Sequence, residues 1–200
     1  MNIIINQSCF NISSNNSKMG KVHSFSVLPV KTCRRDAPCK KDCYAVNLCK
    51  RYKNVRLSYE NNTNCILNEK KKDIIEKICL YIKLYDVSLF RWNVAGDFNL
   101  KNYFDITLAV AKKCPKCKFL AFTKMYEVTK DVKLPENYNI VYSCWDDLKI
   151  KNAKKYPCAY LDNGKYTIPK YATSCDGGCD KCMKCWNLKP GQAVKFKKHK

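Results

Sequence analysis

Four cysteines close together near the carboxyl end of the sequence could bind a metal centre. They are spaced C-x3-C-x2-C-x2-C, at Cys175, Cys179, Cys182 and Cys185. Thiolates are soft ligands that select zinc, copper(I) or iron–sulfur clusters. A single zinc ion usually takes two cysteine pairs that are separated by about a dozen residues or more, whereas a short loop with four cysteines suits a [4Fe–4S] cluster. The spacing therefore favours a [4Fe–4S] cluster, with a zinc site or a disulfide pair as the alternatives.

A second group has three cysteines, Cys33, Cys39 and Cys43, spaced C-x5-C-x3-C. Three thiolates on a cluster of four irons leave one iron without a protein ligand, and that iron can bind a substrate, a cofactor or water. In zinc proteins, too, a closed ligand set suits a structural site and an open position suits a catalytic one. We therefore predict a reactive cluster at this group and an auxiliary cluster at the other. In the alternative, Cys49 or Cys144 closes the first site.

The chain is strongly basic, with 38 Lys and Arg residues against 17 Asp and Glu residues and a formal net charge of +21. Anionic clusters on cysteine thiolates would offset several of these positive charges. The remainder predicts a nucleic acid or another polyanion as a partner. The alternative is that the abundance of Lys and Asn reflects an AT-rich genome.

The cysteine content and the lack of targeting signals predict a reducing compartment. The chain has 15 cysteines. Residues 1–10 lack the charged region of a secretory signal, and no stretch approaches the roughly 18 apolar residues of a membrane span. Under reducing conditions clustered cysteines indicate metal binding rather than disulfides. We expect an oxygen-sensitive, cytoplasmic protein with no membrane partner.

The segments that must position these cysteines alternate between strands and helices. Strands are predicted at residues 21–30, 87–95, 118–125, 139–145, 158–161 and 165–168. Helices are predicted at residues 40–56, 69–85, 103–113 and 126–130, with a polar break at residues 61–64. This alternation predicts an α/β fold, a partial or open (β/α) barrel with mainly parallel strands and a Cys-rich C-terminal loop. We expect one iron–sulfur domain over residues 1–200, with the barrel at residues 1–170 and the four-cysteine segment and basic tail at residues 171–200.

Polar residues follow several predicted strands, and in barrels and open α/β folds this edge carries the functional site. We predict Asp97 and Lys124 as catalytic residues, and Thr123 and Arg91 as cofactor-binding residues. An inward-facing Arg91 needs a carboxylate or a cluster as its partner, and Asp97 is the candidate. The alternatives are a helix-capping Asp97 and a solvated Lys124.

Three further cysteines are predicted to lie outside these sites. Cys114 and Cys117 form a CxxC pair, which often binds metal or does redox chemistry. The pair lies between a predicted helix and a predicted strand, at the edge opposite the predicted site, and we interpret it as incidental or weakly metal-binding. Cys79 lies beside a helical apolar stripe, and we predict that it is a small core residue.

Three cysteines follow the first predicted strand of the (β/α) barrel. This arrangement resembles that of radical S-adenosylmethionine enzymes. The resemblance implies that the open iron binds S-adenosylmethionine and that reductive cleavage yields a 5′-deoxyadenosyl radical. It also implies an electron donor such as ferredoxin or flavodoxin. The C-x5-C-x3-C spacing is longer than the one usual in that superfamily.

A series of motifs along nearly the whole chain resembles the phage-encoded gene product 88 family. The motifs are Lys18-Met19-Gly20-Lys21, Ser24-Phe25-Ser26, Cys43-Tyr44-Ala45, Arg56, Phe90-Arg91, Gly96-Asp97-Phe98, Phe122-Thr123-Lys124 and the cysteine-rich residues 175–186. The resemblance implies iron–sulfur binding, a layout like that of radical S-adenosylmethionine proteins, and a phage or prophage source. A phage protein would act in the host cytoplasm.

Three functions follow from these observations. The first is an iron–sulfur enzyme of radical S-adenosylmethionine-like layout, whose reaction the sequence does not specify. The second is a non-catalytic, basic iron–sulfur or zinc protein that binds nucleic acid, and a small redox partner protein is a weaker third. The sequence has no Ser-His-Asp set and no phosphate-binding glycine-rich loop, so hydrolytic chemistry has no support.

Overall fold

A computed structural model describes residues 10–145, 153–164 and 167–197 of the chain. These residues include a seven-stranded sheet with the strand order β1-β2-β3-β4-β5-β7-β6. The strands are β1 (His23–Phe25), β2 (Leu89–Trp92), β3 (Lys118–Thr123), β4 (Tyr138–Cys144), β5 (Cys158–Asp162), β6 (Thr173–Ser174) and β7 (Ala193–Lys197). Every pair of neighbouring strands is parallel. The predicted α/β class with mainly parallel strands is therefore confirmed, and the sheet is open.

Helices connect the first strands on one face of this sheet. They are α1 (Tyr44–Arg51), α2 (Lys53–Asn68), α3 (Lys71–Leu84), α4 (Tyr103–Lys113) and α5 (Tyr126–Thr129), followed near the carboxyl end by α6 (Cys179–Cys182) and α7 (Lys184–Asn187). Strands β1 to β5 are neighbours in chain order. Since crossovers between parallel strands share one hand, the connecting helices lie on the same face. None of the helices in the described ranges is long and apolar enough to cross a membrane.

The two faces of the sheet bury different side chains. On the helix face, Phe90, Trp92, Phe119 and Ala121 pack against the helices. On the opposite face, which we call the cysteine face, the main buried residues are Met19, Val22, Leu120, Val141, Ala159, Trp186, Leu188 and Val194. The partly buried Cys175, Cys179 and Cys185 pack against this second cluster. Alternation along each strand thus places the four-cysteine segment on the face opposite the helices.

The predicted polar break at residues 61–64 is wrong, because these residues lie inside α2. Asn62 and Thr63 are buried there. The side-chain amide of Asn62 donates to the carbonyl oxygen of Ser26 at 2.8 Å, and the Thr63 hydroxyl accepts from the backbone N–H of Leu28 at 2.9 Å. These polar residues tie the helix to the chain that follows β1.

Three other boundaries differ from the predictions. The predicted helix at residues 40–56 is divided at Tyr52, which caps both α1 and α2. Part of the predicted basic tail forms β7, which joins the sheet between β5 and β6, while residues 198–200 lie outside the described residues. Of the strand predicted at residues 165–168, the first two residues lie outside the described ranges and the last two are not in a strand.

Candidate metal centres

The three-cysteine loop joins β1 to α1 at the carboxyl edge of the sheet. Cys39 lies in a 3-10 turn (Pro38–Lys40), and Cys43 is the N-cap residue of α1. Cys33, Cys39 and Cys43 are all partly buried. Burial raises the pKa of the Tyr44 phenol, and the charges of these three thiols raise it further. The three cysteines therefore lie around one side chain, in the region that the sequence predicted.

The turn that follows β2 holds the backbone on both sides of Cys33. Gly96 has φ +78°, and a Cβ atom at this position would lie 2.5 Å from the Thr32 hydroxyl oxygen. A side chain here would both clash and strain the backbone. The backbone N–H of Asp97 donates to the Thr32 hydroxyl at 3.2 Å, and the Asn99 side chain donates to the carbonyl oxygen of Cys33 at 3.2 Å. This turn therefore positions the first cysteine.

Asp97 joins the carboxyl ends of β2 and β3. Its carboxylate accepts hydrogen bonds from the Thr123 hydroxyl at 2.5 Å and from the backbone N–H of Lys124 at 2.8 Å. Burial raises the pKa of this carboxyl group, and the Lys124 charge and these hydrogen bonds oppose the rise. The structure thus brings together Asp97, Thr123 and Lys124, and their catalytic and cofactor-binding roles stay predictions.

The predicted pair of Arg91 with Asp97 is wrong. No ion pair joins them in the described part of the chain, where the Asp97 carboxylate is bound by Thr123 and by backbone N–H groups. The reason is strand alternation. Arg91 projects from β2 onto the cysteine face beside Met19, whereas Thr123 has the strand parity of the helix face.

Two cations lie beside the three-cysteine loop. Burial, and secondarily the Asp97 charge, raise the pKa of Cys33 to about 11, while Lys124 lowers it. The Lys124 ammonium group lies 5.8 Å from the centre of the Trp145 ring. Arg34 donates to the carbonyl oxygen of Lys124 at 3.3 Å, which ties the loop to the end of β3. Lys124 is therefore at the edge where an anionic ligand of this site would lie.

Asp180 fixes the four-cysteine segment to the chain that precedes β1. Its backbone N–H donates to the carbonyl oxygen of Met19 at 3.3 Å, and its carboxylate accepts from the backbone N–H of Lys21 at 3.1 Å. Gly20 has φ +64°, and a Cβ atom there would overlap the Asp180 carboxyl group. Residues 18–21 carried part of the family resemblance. They thus form the contact that holds the distant cysteine segment in place.

Trp186 anchors the other end of the same segment. Its ring is buried among the residues of the cysteine face, and its indole N–H donates to the carbonyl oxygen of Lys118 at 3.2 Å. Asn139 of β4 donates to the carbonyl oxygen of Cys185 at 2.7 Å. Strands β3 and β4 therefore hold the backbone of the last cysteine in place.

Arg91 lies on the cysteine face beside the four-cysteine segment. Its guanidinium group is 4.6 Å from the centre of the Phe122 ring, and Nη1 is 3.5 Å from the Met19 sulfur. Its Nε is buried and has no hydrogen-bond partner within the described ranges. A buried cation without an acidic partner is costly unless an anion lies nearby.

The charge of Arg91 reaches the four-cysteine segment and Tyr44. Burial raises the pKa of Cys185 to about 12 and also raises that of Cys179, and Arg91 opposes both shifts. Arg91 also opposes the rise that burial causes in the pKa of Tyr44, beside the three-cysteine loop. The phenol of Tyr44 donates to the carbonyl oxygen of Val94. Arg91 thus lies within electrostatic reach of the four-cysteine segment and of a neighbour of the three-cysteine loop.

The two cysteine groups offer thiols as donor atoms. No three His, Cys, Asp or Glu side chains of the described residues are arranged to hold one metal ion, and every cysteine there is a free thiol. Thiolates around one zinc ion lie about 3.8 Å apart, given a Zn–S distance of about 2.3 Å. A four-iron cluster binds each thiolate through a different iron and spaces them more widely. The thiol-only donor sets and the unpaired Nε of Arg91 are compatible with such an anionic cluster.

The two candidates for a fourth ligand have different neighbours. Cys144 is hydrogen-bonded to Cys158, which is the main reason for the lowered pKa of Cys144. Cys49 lies in α1, and of the three thiols only Cys43 affects its pKa, which burial raises. Cys144 is thus paired with another thiol, and Cys49 has Cys43 as its neighbour.

The family model described as Gene product 88 matches residues 7–199. The chain belongs to the gene product 88 family. No curated protein and no solved structure gives a significant match to the chain. The family resemblance predicted from the motifs is thus confirmed over nearly the whole sequence, and both cysteine groups lie inside the matched region.

The gene product 88 motifs meet in space although they are far apart in sequence. Residues 18–21 bind Asp180 of the cysteine segment, and the Gly96-Asp97-Phe98 motif positions Cys33 and the end of β3. The sequence interpretation missed the roles of Tyr44, Asn99 and Trp186. The adjacency of Tyr44 to Cys43 and of Trp186 to Cys185 was the available signal, because a residue next to a ligand shares its surroundings.

Proposed function

We propose that the protein is an iron–sulfur protein with two [4Fe–4S] clusters, and that it acts as a radical S-adenosylmethionine-like redox enzyme. Cys33, Cys39 and Cys43 would hold the reactive cluster with one open iron. The other cysteine segment, Cys175, Cys179, Cys182 and Cys185, would hold an auxiliary cluster. The observation that supports the proposal is the position of three thiols around Tyr44 at the carboxyl edge of a parallel sheet, the edge at which such folds bind substrates.

A cluster with an open iron would supply one-electron reduction of a ligand bound at that iron, such as S-adenosylmethionine. The chain's own residues would hold and orient the reactants. Lys124 would bind a carboxylate or phosphate of the substrate beside Cys33. Asp97 would keep the ends of β2 and β3 together and so fix the position of Lys124.

The four-cysteine group suits a site for electron entry. Its Cys182 is exposed, unlike the partly buried cysteines of the other group. An electron donor such as a ferredoxin or flavodoxin would reach the auxiliary cluster at this side. Arg91 would offset the negative charge of the thiolates and the cluster, as it opposes the rise in the pKa of Cys185.

The test is anaerobic iron and sulfide analysis, combined with electron paramagnetic resonance of the reduced protein with and without S-adenosylmethionine. About eight irons per chain are expected from two cubane clusters. One of two signals should shift when S-adenosylmethionine binds the open iron. Two clusters without this response would discard the radical enzyme and retain the iron–sulfur protein, and zinc without iron would overturn both.

A second candidate function is nucleic-acid binding by a non-catalytic protein, because the 38 basic residues outnumber the 17 acidic ones. At least 21 cations (38 − 17) then lack an acidic partner on a one-to-one count. Binding to labelled single- and double-stranded DNA and RNA should be measured by anisotropy at two salt concentrations. A protein with six to ten phosphate contacts loses about 10³- to 10⁵-fold in affinity between 50 and 200 mM salt. Absence of binding at low salt would remove this candidate.

A further inference from the structure

Two thiols outside both cysteine groups meet on the helix face of the sheet. Cys79 lies in α3, and Cys114 is the C-cap residue of α4. The two helices pack against each other, and the two side chains are hydrogen-bonded to one another. The sequence predicted Cys79 as a small core residue and the Cys114–Cys117 pair as incidental or weakly metal-binding, whereas helix packing brings Cys79 and Cys114 together across 35 positions (114 − 79).

Both thiols are accessible to a small reagent, since each is only partly buried. They differ in acidity. The hydrogen bond from Cys79 lowers the pKa of Cys114, and the Lys113 charge lowers it further against the effect of burial. The same hydrogen bond raises the pKa of Cys79. Cys114 is therefore the better nucleophile, because the thiolate is the reactive form.

Cys117, the second cysteine of the CxxC sequence, is the less suitable partner for Cys114. It is 1% exposed, and burial raises its pKa. The chain turns between the two residues into β3, and the Cys117 thiol faces the core cluster of the helix face. The reactive pair in the fold is thus not the pair that the sequence suggests.

We propose that Cys79 and Cys114 form a thiol–disulfide exchange site that reacts with low-molecular-weight disulfides such as glutathione disulfide. The Cys114 thiolate attacks one sulfur of the small disulfide, forms a mixed disulfide and releases one thiolate. Cys79 then attacks the Cys114 sulfur, forms the Cys79–Cys114 disulfide and releases the second small thiol, which keeps the proton of Cys79. The protein loses two electrons, and the small disulfide gains them.

This site lies apart from the candidate metal centres. Cys114 precedes the amino end of β3, whereas Cys33 and its neighbours lie at the carboxyl edge. Its exchange with small disulfides therefore needs no metal and no ligand of the proposed clusters. The oxidised form would bond α3 to the end of α4 and shorten the loops of the unfolded chain, which raises the Tm.

The experiment is peptide mapping of the full chain after anaerobic incubation with graded ratios of reduced to oxidised glutathione, acid quenching and alkylation. Trypsin separates the three cysteines, because they fall in residues 78–83, 114–116 and 117–118. We expect a disulfide-linked peptide that joins residues 78–83 to residues 114–116. The amounts of the two alkylated peptides should fall to the same extent. Residues 114–116 joined to 117–118, or both cysteines still alkylated when other cysteines carry glutathione, would overturn the proposal.

Variants test the order of attack. Cys79→Ser should leave Cys114 as a persistent glutathione adduct, and Cys114→Ser should leave Cys79 alkylated. Cys117→Ser is the matched control and should keep the joined peptide. Equal glutathione adducts in the first two variants would contradict the assignment of Cys114 as the attacking thiol. The wild-type map does not depend on the folding of any variant.

Discussion

The three-cysteine loop and the four-cysteine segment use the same donor atoms in different surroundings. The loop is held at the carboxyl edge by hydrogen bonds from the turn after β2, and burial, followed by the Asp97 charge, raises the pKa of Cys33 to about 11. The four-cysteine segment lies on the cysteine face, held by Asp180 and Trp186. The cation of Arg91 lies beside it and opposes the rise in the pKa of Cys185 that burial causes.

The difference indicates a division of labour. A closed group of four thiolates would be the more anionic one, and the partly buried cation of Arg91 beside it would stabilise that charge. The open group needs space for a ligand and lies where the strands end. Its backbone is fixed by Gly96 and Asn99, which would hold the three thiols in place around the proposed cluster. The predictions below perturb one group at a time.

Trp186→Ala should have the largest effect, and it should fall on the four-cysteine segment. Loss of a buried Trp costs about 3–5 kcal/mol of unfolding free energy, and it removes the hydrogen bond to Lys118. Denaturant unfolding measures the loss, and iron analysis should show the auxiliary cluster depleted. Trp186→Phe keeps most of the buried ring and should cost only about 1 kcal/mol for the lost hydrogen bond. Equal losses in both variants would contradict the anchoring role.

Gly96→Ala should disturb the three-cysteine loop instead. The new Cβ would lie 2.5 Å from the Thr32 hydroxyl oxygen at a residue with φ +78°. The clash and the left-handed backbone together should cost about 3 kcal/mol. Gly164→Ala is the matched control, since Gly164 has φ +73° and nothing within 4 Å of the added Cβ. That control should cost only the roughly 1 kcal/mol of a left-handed residue. If denaturation curves show the same loss of unfolding free energy in both variants, the clash at Gly96 does not contribute to the loss.

Arg91→Met should change the four-cysteine cluster more than the protein's stability. Removal of a cation makes an anionic cluster harder to reduce, so its midpoint potential should fall by on the order of 60 mV, a tenfold change for a one-electron couple. Arg91→Lys keeps the charge and should retain most of the potential. Potentiometric titration followed by electron paramagnetic resonance measures both. A larger shift in the midpoint potential of the three-cysteine cluster would contradict the assignment of Arg91 to the four-cysteine cluster.

Tyr44→Phe should have the smallest effect of the series. It removes the hydrogen bond from the phenol to the carbonyl oxygen of Val94, at a cost of about 1 kcal/mol. Tyr52→Phe is the control, because Tyr52 is about as exposed as Tyr44 (50% against 42%) and should change the unfolding free energy by less than about 0.5 kcal/mol. Thermal unfolding of the two variants beside the wild type would show the difference, and identical melting curves for all three would count against a structural role for Tyr44.

The sequence was sufficient for the class of fold and for the edge of the sheet that carries the first cysteine group. Alternating strand and helix patterns are local signals, and the parallel sheet follows from them. The sequence also contained the signal for β7, because Val194 and Phe196 alternate with Lys195 and Lys197. The basic composition concealed that alternation, and the segment was predicted as part of a basic tail.

The partners of buried polar residues could not be predicted, because they depend on which face and which distant segment each one meets. Arg91 was paired with Asp97 from nearness in sequence, yet it lies beside Met19 and Phe122. Asn62 appeared to break a helix, yet its amide binds the carbonyl oxygen of Ser26. The contact of Cys79 with Cys114 likewise follows from the packing of two helices, which periodicity alone does not specify.

The central claim is that each cysteine group binds its own cluster. The most direct test is to measure the iron and sulfide content of the anaerobically prepared wild type and of two double variants. Cys39→Ser with Cys43→Ser disables the open group, and Cys179→Ser with Cys182→Ser disables the closed one. The account predicts about eight irons in the wild type and about four in each variant, with a different cluster signal surviving in each. Loss of all iron in both variants, or zinc in place of iron in the wild type, would contradict it.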